Sequence, residues 1–577
     1  PAARGAAGGE VRGQLLFGAN TFAEASALTS PADAAELMLS SDLSTAFNAT
    51  WETSTDADGN EIVYIWQLAT DSTFDNIIVN ANTGSDAMFM ATHGDLDALL
   101  VEAGVAAGAS ATLYHRVIVT DGSDEAIGTA RSVMVTRANA SLTFESILSG
   151  SNEVPPITTT ANGSFKATLT GTSLTVEGSF EGLSGDYAGS HIHSGMAGQA
   201  GGVEIALSPQ VNVDNTSGSF VAMDTTYMLT IEQAAMLNAQ GLYVNIHSSA
   251  YPGGELRGQL VPEANAHYKA FLSGAFEFPV AKTMASGGIV LQLDGDSLFV
   301  SGSFNNLMDE FDAAVAGGSH LHIGAAGRTG GIAIELVPTL ETDKLSGVYL
   351  ASDNRFELSS EQKTALMNRE FYFNLHTKAF ASGELRGQVV PQSTATFYAS
   401  LSGTAEVPSI ETSALGALVL ELHKDTLIVT GSFGNLTGAF DATIAGGSHL
   451  HIGHAGENGG IAIQLDADVG LDLSGGVYRA EENEYTLTSE QIDALMDRMM
   501  YLNIHTLAFG SGELRGQVLG EASAYFRTNL SGIHEIQPIE TTAYGALNVE
   551  LSGTRAIVTG GFSGLTGDLD ASIAGGA

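Results

Sequence analysis

A glycine-rich phrase with two histidines, GSHIHSGMAGQAGG over residues 189–202, sets the architecture of this 577-residue chain. The phrase returns as GSHLHIGAAGRTGG from Gly318 and as GSHLHIGHAGENGG from Gly447, each time 129 residues further on. The phrases YVNIH, YFNLH and YLNIH keep the same interval, and so do three copies of GELRGQ. Repetition at a fixed interval predicts a tandem array of similar folding units.

The repeat interval divides most of the chain into units. We expect three complete units and the front half of a fourth, at residues 139–263, 264–392, 393–520 and 521–577. Residues 1–17 include GEVRGQ and are interpreted as the closing strand of another unit. Either the sequence is a window of a longer array, or a strand from a neighbouring subunit completes each broken unit.

Residues 18–138 do not share the interval and are predicted to form a separate β-sandwich. Alternating apolar and polar residues in NATWETS and IVYIWQLAT, with turn residues between them, are typical of strands. We expect Trp51 and Trp66 in its core, with carbohydrate binding as the alternative. The segment Asp56–Asn60 is predicted to be a hairpin turn in preference to a calcium loop, because the acidic twelfth ligand is missing.

Each repeat is predicted to be all-β, as a sandwich or barrel of antiparallel strands with one short helix. Runs such as SLTVEGSF and GLYVNIH alternate, and glycine and serine separate them. A hydroxyl residue stands three positions before a glutamine in TIEQ, SSEQ and TSEQ, which is the pattern of a helix capping box.

The histidines are candidate metal ligands. In His-x-His on a strand both imidazoles project from one face, and the histidine of the Asn-x-His phrase lies on another strand. Three nitrogen donors suit zinc or copper. Alternatively, the histidines bind the backbone of the glycine-rich turns and fasten the loop. The residues concerned are His191, His193, His247, His320, His322, His376, His449, His451 and His505.

The GELRGQ phrase places glutamate, arginine and glutamine on one strand face. Because the chain has few cations, we expect the arginine that returns in each repeat to form a structural ion pair with a buried or interfacial carboxylate. Arginine cannot serve as a general base, and no nucleophile beside a base shares the repeat interval, so we expect no enzymatic activity. The predicted ion-pair residues are Glu255, Arg257, Glu384, Arg386, Glu513 and Arg515.

The composition excludes several classes of protein. With 22 Lys and Arg against 65 Asp and Glu, the formal net charge is −43, and such an acidic surface repels nucleic acid. The absence of cysteine removes disulfides and thiolate ligands. The sequence contains no run of 18 apolar residues, so no transmembrane helix is predicted, and no signal peptide is recognised.

The repeats resemble the chordin-domain family (CHRD), whose units show LSG..EVPP near the start, HIH.G..G..G in the middle and N.HT....GE.RGQ at the close. The resemblance covers residues 1–17 and 139–577. The second unit departs with AFEFPVAK, and the first has Ser248 where the others have Thr377 and Thr506. The resemblance to this family implies an extracellular β-rich module without an established enzymatic activity. Residues 18–138 resemble fibronectin type III modules of bacterial surface proteins.

These observations lead to two hypotheses about function. We expect an extracellular structural or adhesive protein of a bacterial surface or filament, which binds copies of itself head to tail, with calcium bridging carboxylates between modules. The alternative is a copper- or zinc-binding protein that uses the three-histidine sites.

Overall fold

The computed structural model describes residue 21 and residues 23–40, 44–106, 108–137, 141–222, 226–570 and 572. The predicted closing strand at residues 1–17 therefore lies outside the described residues. The described residues form two compact units: the first contains those up to Leu142 with segments 169–174 and 227–235, and the second contains the other described residues. Among the described residues, no helix has the length and apolar character needed to cross a membrane.

The N-terminal module is a sandwich of two sheets, and a short helix, α1 (His93–Glu102), follows the last strand of the smaller sheet. Thr92 and Asp95 form a capping box at the start of α1. The strands of the smaller sheet are, in spatial order, Leu28–Ser30, Ala46–Trp51 and Met88–Thr92. Those of the larger sheet are Ala35–Met38, Arg131–Thr136, Ser110–Thr120, Val63–Ala69 and Ile77–Gly84, with Glu125–Ile127 beside Ser110–Thr120.

Both tryptophans belong to the core of this sandwich. Trp66 is fully buried and stacks on Phe89 with 4.4 Å between ring centroids. Trp51 is 4% exposed, and its ring packs on that of Tyr64 with 5.8 Å between centroids. The prediction of core positions is confirmed, and burial leaves no tryptophan face for a sugar. The segment Asp56–Asn60 is the expected turn, since Asp56 Oδ1 accepts hydrogen bonds from the amides of Asp58 and Asn60.

Each repeat is a curled antiparallel sheet, as predicted, and the second repeat shows the plan. Its hydrogen-bonded path runs Gly331–Glu335, Ser319–Ile323, Phe371–Leu375, Leu385–Gln388, Ala266–Ser273, Ser286–Asp294, Ser297–Asn305, Gly347–Tyr349 and Thr339–Leu340. Two short strands lie off this path: Arg355–Glu357 pairs with Ser297–Asn305, and Val390–Pro391 pairs with Ala266–Ser273. A turn of 3₁₀-helix is formed by Gly274–Phe276.

The third repeat has the same path with every element shifted by 129 residues. Its strands are Gly460–Gln464, Ser448–Ile452, Met500–Ile504, Leu514–Gln517, Ala395–Ser402, Leu415–His423, Thr426–Gly434, Gly476–Tyr478, Asp468–Val469, Glu484–Thr486 and Leu519–Gly520, with a 3₁₀ turn at Gly403–Ala405.

The first repeat has a sheet of the same kind, and the fourth is described as three strands. The strands of the first are Ser141–Ser149, Asn162–Thr170, Ser173–Glu181, Tyr187–Ser194, Val203–Ala206, Gln210–Val211, Gly218–Phe220, Thr226–Met228, Leu242–Ser248, Leu256–Gln259 and Val261–Pro262, with a 3₁₀ turn at Gly150–Asn152. Those of the fourth are Ala524–Ser531, Tyr544–Ser552 and Arg555–Ser563, with a 3₁₀ turn at Gly532–His534.

One short helix per complete repeat confirms the prediction from the capping pattern. The helices are α2 (Ile231–Asn238), α3 (Ser360–Met367) and α4 (Ser489–Met496). In α3 the Ser359 hydroxyl accepts from the Gln362 amide, and the Gln362 side chain accepts from the Ser359 amide. Since short helices are marginal alone, α3 depends on Leu366, which is fully buried in the core of its repeat.

The core of each complete repeat contains the residue between the two histidines. Ile192, Leu321 and Leu450 have no exposed surface, and Leu321 packs in one cluster with Phe304 and Phe373. Because side chains alternate along a strand, this burial directs the flanking histidines to the opposite face of the sheet.

Candidate metal centre

Three histidines meet on the outer face of the sheet in every complete repeat. The strand Ser319–Ile323 pairs with Phe371–Leu375 so that Ser319 faces Leu375, which brings His376 beside His320. In each group the potential ligand atoms lie within 4.8 Å of one another. The groups are His191, His193 and His247; His320, His322 and His376; and His449, His451 and His505.

The second histidine of each group is oriented by a glycine carbonyl. His322 Nδ1 lies 3.0 Å from Gly330 O, and the equivalent distances are 3.1 Å for His193 and Gly201 and 2.9 Å for His451 and Gly459. A carbonyl can only accept, so Nδ1 carries the proton and Nε2 keeps its lone pair. This Nε2 is buried without a hydrogen-bond partner in all three described groups.

The third histidine is held in the same way from a different loop. Its Nδ1 donates to the carbonyl of Pro252, Ala381 or Gly510 at 3.0 Å. Its Nε2 is therefore the unprotonated nitrogen, and in His505 this atom is buried without a partner.

The first histidine has the opposite orientation. His449 Nε2 donates to Ala445 O at 2.7 Å, and His320 Nε2 contacts Ala316 O. Nδ1 of both residues is buried without a partner. In the first repeat His191 Nδ1 instead lies 3.1 Å from His247 Nε2. The second and third groups thus present one Nδ1 and two Nε2 atoms, with backbone carbonyls orienting all three rings as in protein metal sites. In the first group carbonyls orient the second and third rings, whereas His191 Nδ1 donates to the unprotonated Nε2 of His247.

An aromatic and cationic column supports the second histidine. His322 stacks on Tyr372 with 4.8 Å between centroids, and the Arg386 guanidinium lies 3.6 Å from the other face of the tyrosine ring. The Tyr372 hydroxyl accepts from the Gly330 amide at 3.0 Å. The column recurs as His193, Tyr243 and Arg257, and as His451, Tyr501 and Arg515.

Burial favours the neutral imidazoles that metals require. Desolvation lowers the pKa of His193, His322 and His451, and it also lowers the pKa of the third histidine in each group. A metal ion competes with protons for the same lone pairs, so a lowered pKa makes them available near neutral pH.

The glutamate and arginine of GELRGQ have other partners than the predicted ion pair. Glu255 accepts hydrogen bonds from the hydroxyls of Thr159, Ser184 and Ser248, and Arg257 donates to Met196 O. The same correction applies to Glu384 and Arg386, and to Glu513 and Arg515. The reason is local: hydroxyls surround the glutamate, whereas the tyrosine face and loop carbonyls surround the arginine.

A buried glutamate that we did not single out from the sequence lies near each of these arginines. Burial raises the pKa of Glu153 and Glu406 to about 7 and of Glu277 to about 8, with the arginine opposing the change. Asn374 Nδ2 donates to Glu277 Oε1 at 2.6 Å. The signal was present in the sequence, because this glutamate directly follows the 3₁₀ turn in each complete repeat and recurs in the phrases SNEVPP, AFEFP and TAEVP.

Two family models match parts of the chain. The family model described as CHRD domain matches residues 144–260, 268–389 and 397–518, more than half of the chain. The chain belongs to the CHRD domain family. A second family model, described as SusE outer membrane protein, matches residues 19–118. The CHRD repeats are thus joined to a SusE-like module, and the fibronectin type III resemblance is not confirmed.

The SusE match supports the predicted cell-surface, extracellular-facing location. No curated protein matches the chain. Among solved structures, the α-L-rhamnosidase of Streptomyces avermitilis in complex with L-rhamnose aligns with a TM-score of 0.11 and 8% identity. That alignment covers 88% of this chain and 59% of the enzyme, so the chain spans less than two thirds of that structure, and the likeness carries no argument.

Proposed function

We propose that this chain is a bacterial surface protein in which each complete CHRD repeat binds one copper or zinc ion through three imidazoles. The observation that carries the proposal is the convergence of ring nitrogens: in each complete repeat the potential ligand atoms of three histidines lie within 4.8 Å of one another, and backbone carbonyls hold the Nδ1 of the second and third rings so that their Nε2 atoms keep their lone pairs. Histidines that merely fastened the loops would not need second nitrogens buried without partners, as found in His320 and His322 of the second repeat and in His449, His451 and His505 of the third.

The donor set favours copper or zinc over calcium. Calcium takes oxygen ligands, whereas neutral imidazoles suit zinc and copper. The proposed role is binding and not catalysis.

Metal analysis tests the proposal. After loading with zinc and dialysis we expect three equivalents per chain, and two for His322→Ala, because the second group loses a ligand. The control is His534→Ala, which changes an exposed histidine of the fourth unit and should keep three equivalents. A wild-type chain that retains no zinc or copper would contradict the proposal.

A structural or adhesive role, with assembly into head-to-tail polymers, is a second candidate. It is supported by a contact that recurs between successive repeats: Ser303 Oγ donates to Ala197 O at 2.7 Å, and Ser432 Oγ donates to Ala326 O at 2.6 Å. β modules with one packing mode in series can extend through heterologous contacts. Negative-stain electron microscopy at several calcium concentrations tests this role: filaments would support it, and dispersed particles throughout would count against it.

A further inference from the structure

The three histidine groups differ in the segment that precedes them. Seven positions separate Leu183 from Ser190 in the first repeat, whereas twelve separate Leu307 from Ser319 and Leu436 from Ser448. The first repeat therefore lacks five residues directly before its His-x-His strand.

In the second repeat the additional residues form a cover over the ligands. Phe311 bridges to Thr377, the residue after His376, and the Asp312 amide donates to His376 O at 3.0 Å. The turn that follows presents Ala316 O to His320 Nε2. The third repeat has the same cover, with Phe440 bridging to Thr506 and Ala445 O accepting from His449.

The cover accounts for the burial of two ligands per group. His320 is 1% exposed and His449 is 0% exposed, while His376 and His505 are each 7% exposed. Their counterparts His191 and His247 are only half-buried.

The first repeat replaces the turn with continuous strand. Tyr187–Ser194 runs through the positions where the other repeats place the alanine, and Tyr187 pairs with Ser248. In extended conformation this segment brings no turn carbonyl to His191 Nε2, and His191 Nδ1 contacts His247 instead. The first group thus lacks both the cover and the carbonyl that fixes the first ring.

We propose that the first repeat holds a labile metal site that exchanges its ion with external ligands, whereas the second and third repeats hold retained, structural ions. This inference rests on the proposed metal binding. Loss of a hydrogen bond that orients a ligand weakens metal affinity by about 10–100-fold. Exposure of the ligands adds a route by which water or a chelator reaches the ion.

Chelator competition on the zinc-loaded full chain tests the inference. With an excess of the chromogenic chelator 4-(2-pyridylazo)resorcinol, we expect one third of the zinc to leave at least about 10-fold faster than the rest. His193→Ala should abolish the fast phase alone, and the matched variant His322→Ala should halve the slow phase and keep the fast one.

A loop deletion tests the cause. Removing residues 312–316 shortens the cover of the second repeat to the length of the first, so one further equivalent should move from the slow to the fast phase. If that variant does not fold, the two histidine variants still assign the phases. Three equivalents released at one rate, or a fast phase lost in His322→Ala, would overturn the inference and leave metal binding intact. A chain that takes up no zinc would overturn the proposed function and this inference with it.

Discussion

The first and second repeats each have the same kind of sheet, a buried residue between paired histidines and the tyrosine–arginine column, yet two differences affect the histidine site and the junction with the next repeat. One is the cover over the histidines. The other is the contact with the next repeat, where Gln240 pairs with Gln292 at 3.1 Å and the equivalent Arg369 pairs with Glu421 at 2.9 Å. The comparison teaches that the core specifies the repeat, while the loops and the contact surface adjust each site and junction separately.

The junction difference should produce the largest effect. Arg369→Ala removes the guanidinium from the Glu421 carboxylate, whose side chain is fully buried and keeps the His423 imidazole at 3.4 Å, and we expect a loss of about 3–5 kcal/mol in the free energy of unfolding. Gln240→Ala leaves a neutral amide unpaired and should cost about 1–3 kcal/mol. Urea denaturation measures both.

The double variant Arg369→Gln/Glu421→Gln is the control, because it gives the second junction the neutral pair of the first. It should be much less destabilised than Arg369→Ala. Equal losses for Arg369→Ala and Gln240→Ala would show that the charge difference has no energetic weight.

The buried glutamates sharpen the comparison through pH. The folded pKa of Glu277 is raised to about 8 by burial, against 4.5 for an ordinary glutamate, so folding favours its protonated form. The protonated carboxyl therefore contributes its full stabilisation below pH 4.5. This stabilisation is lost as the pH rises from 4.5 through about 8, and the free energy of unfolding falls by an amount on the order of a few kcal/mol.

Glu277→Gln keeps a neutral side chain and should remove this part of the pH dependence, as measured by thermal unfolding from pH 4.5 to 8.5. Glu153→Gln is the matched variant in the first repeat, where the pKa is raised to about 7 and the loss should end at lower pH. An unchanged slope in both variants would contradict the assignment.

The tyrosine that stacks on the second histidine should have the smallest effect. Tyr372→Ala removes the ring between His322 and Arg386 and the hydroxyl that anchors Gly330, so zinc affinity of that site should fall about 10-fold. Tyr372→Phe keeps the ring and should lose less. Competition titration on the His193→Ala background, which lacks the first site, measures the change; a larger loss for phenylalanine than for alanine would refute the stacking role.

Much of this architecture could be predicted from the sequence, because it depends on local periodicity. The interval of 129 residues specified the repeats, alternation placed His320 and His322 on one face, and the capping box located α3. These features follow from the two-residue period of strands and from the donors at helix ends.

The remainder depends on contacts that are distant in sequence. The meeting of His376 with His320 requires strand register, and the proton on His322 Nδ1 requires the position of Gly330 O. The sequence predicted a structural ion pair in GELRGQ because the chain has few cations, whereas Glu384 binds hydroxyls from Thr283 and Thr377 and the buried carboxylate that Arg386 influences is that of Glu277. Charge alone does not identify the partner of a buried side chain.

X-ray absorption at the zinc K-edge tests the central claim most directly. For the zinc-loaded chain, the arrangement of the imidazoles predicts three nitrogen neighbours per ion at about 2.0–2.1 Å, with the multiple scattering of imidazole rings. A spectrum fitted by oxygen neighbours alone, without imidazole scattering, would contradict the claim that the histidine groups hold the metal.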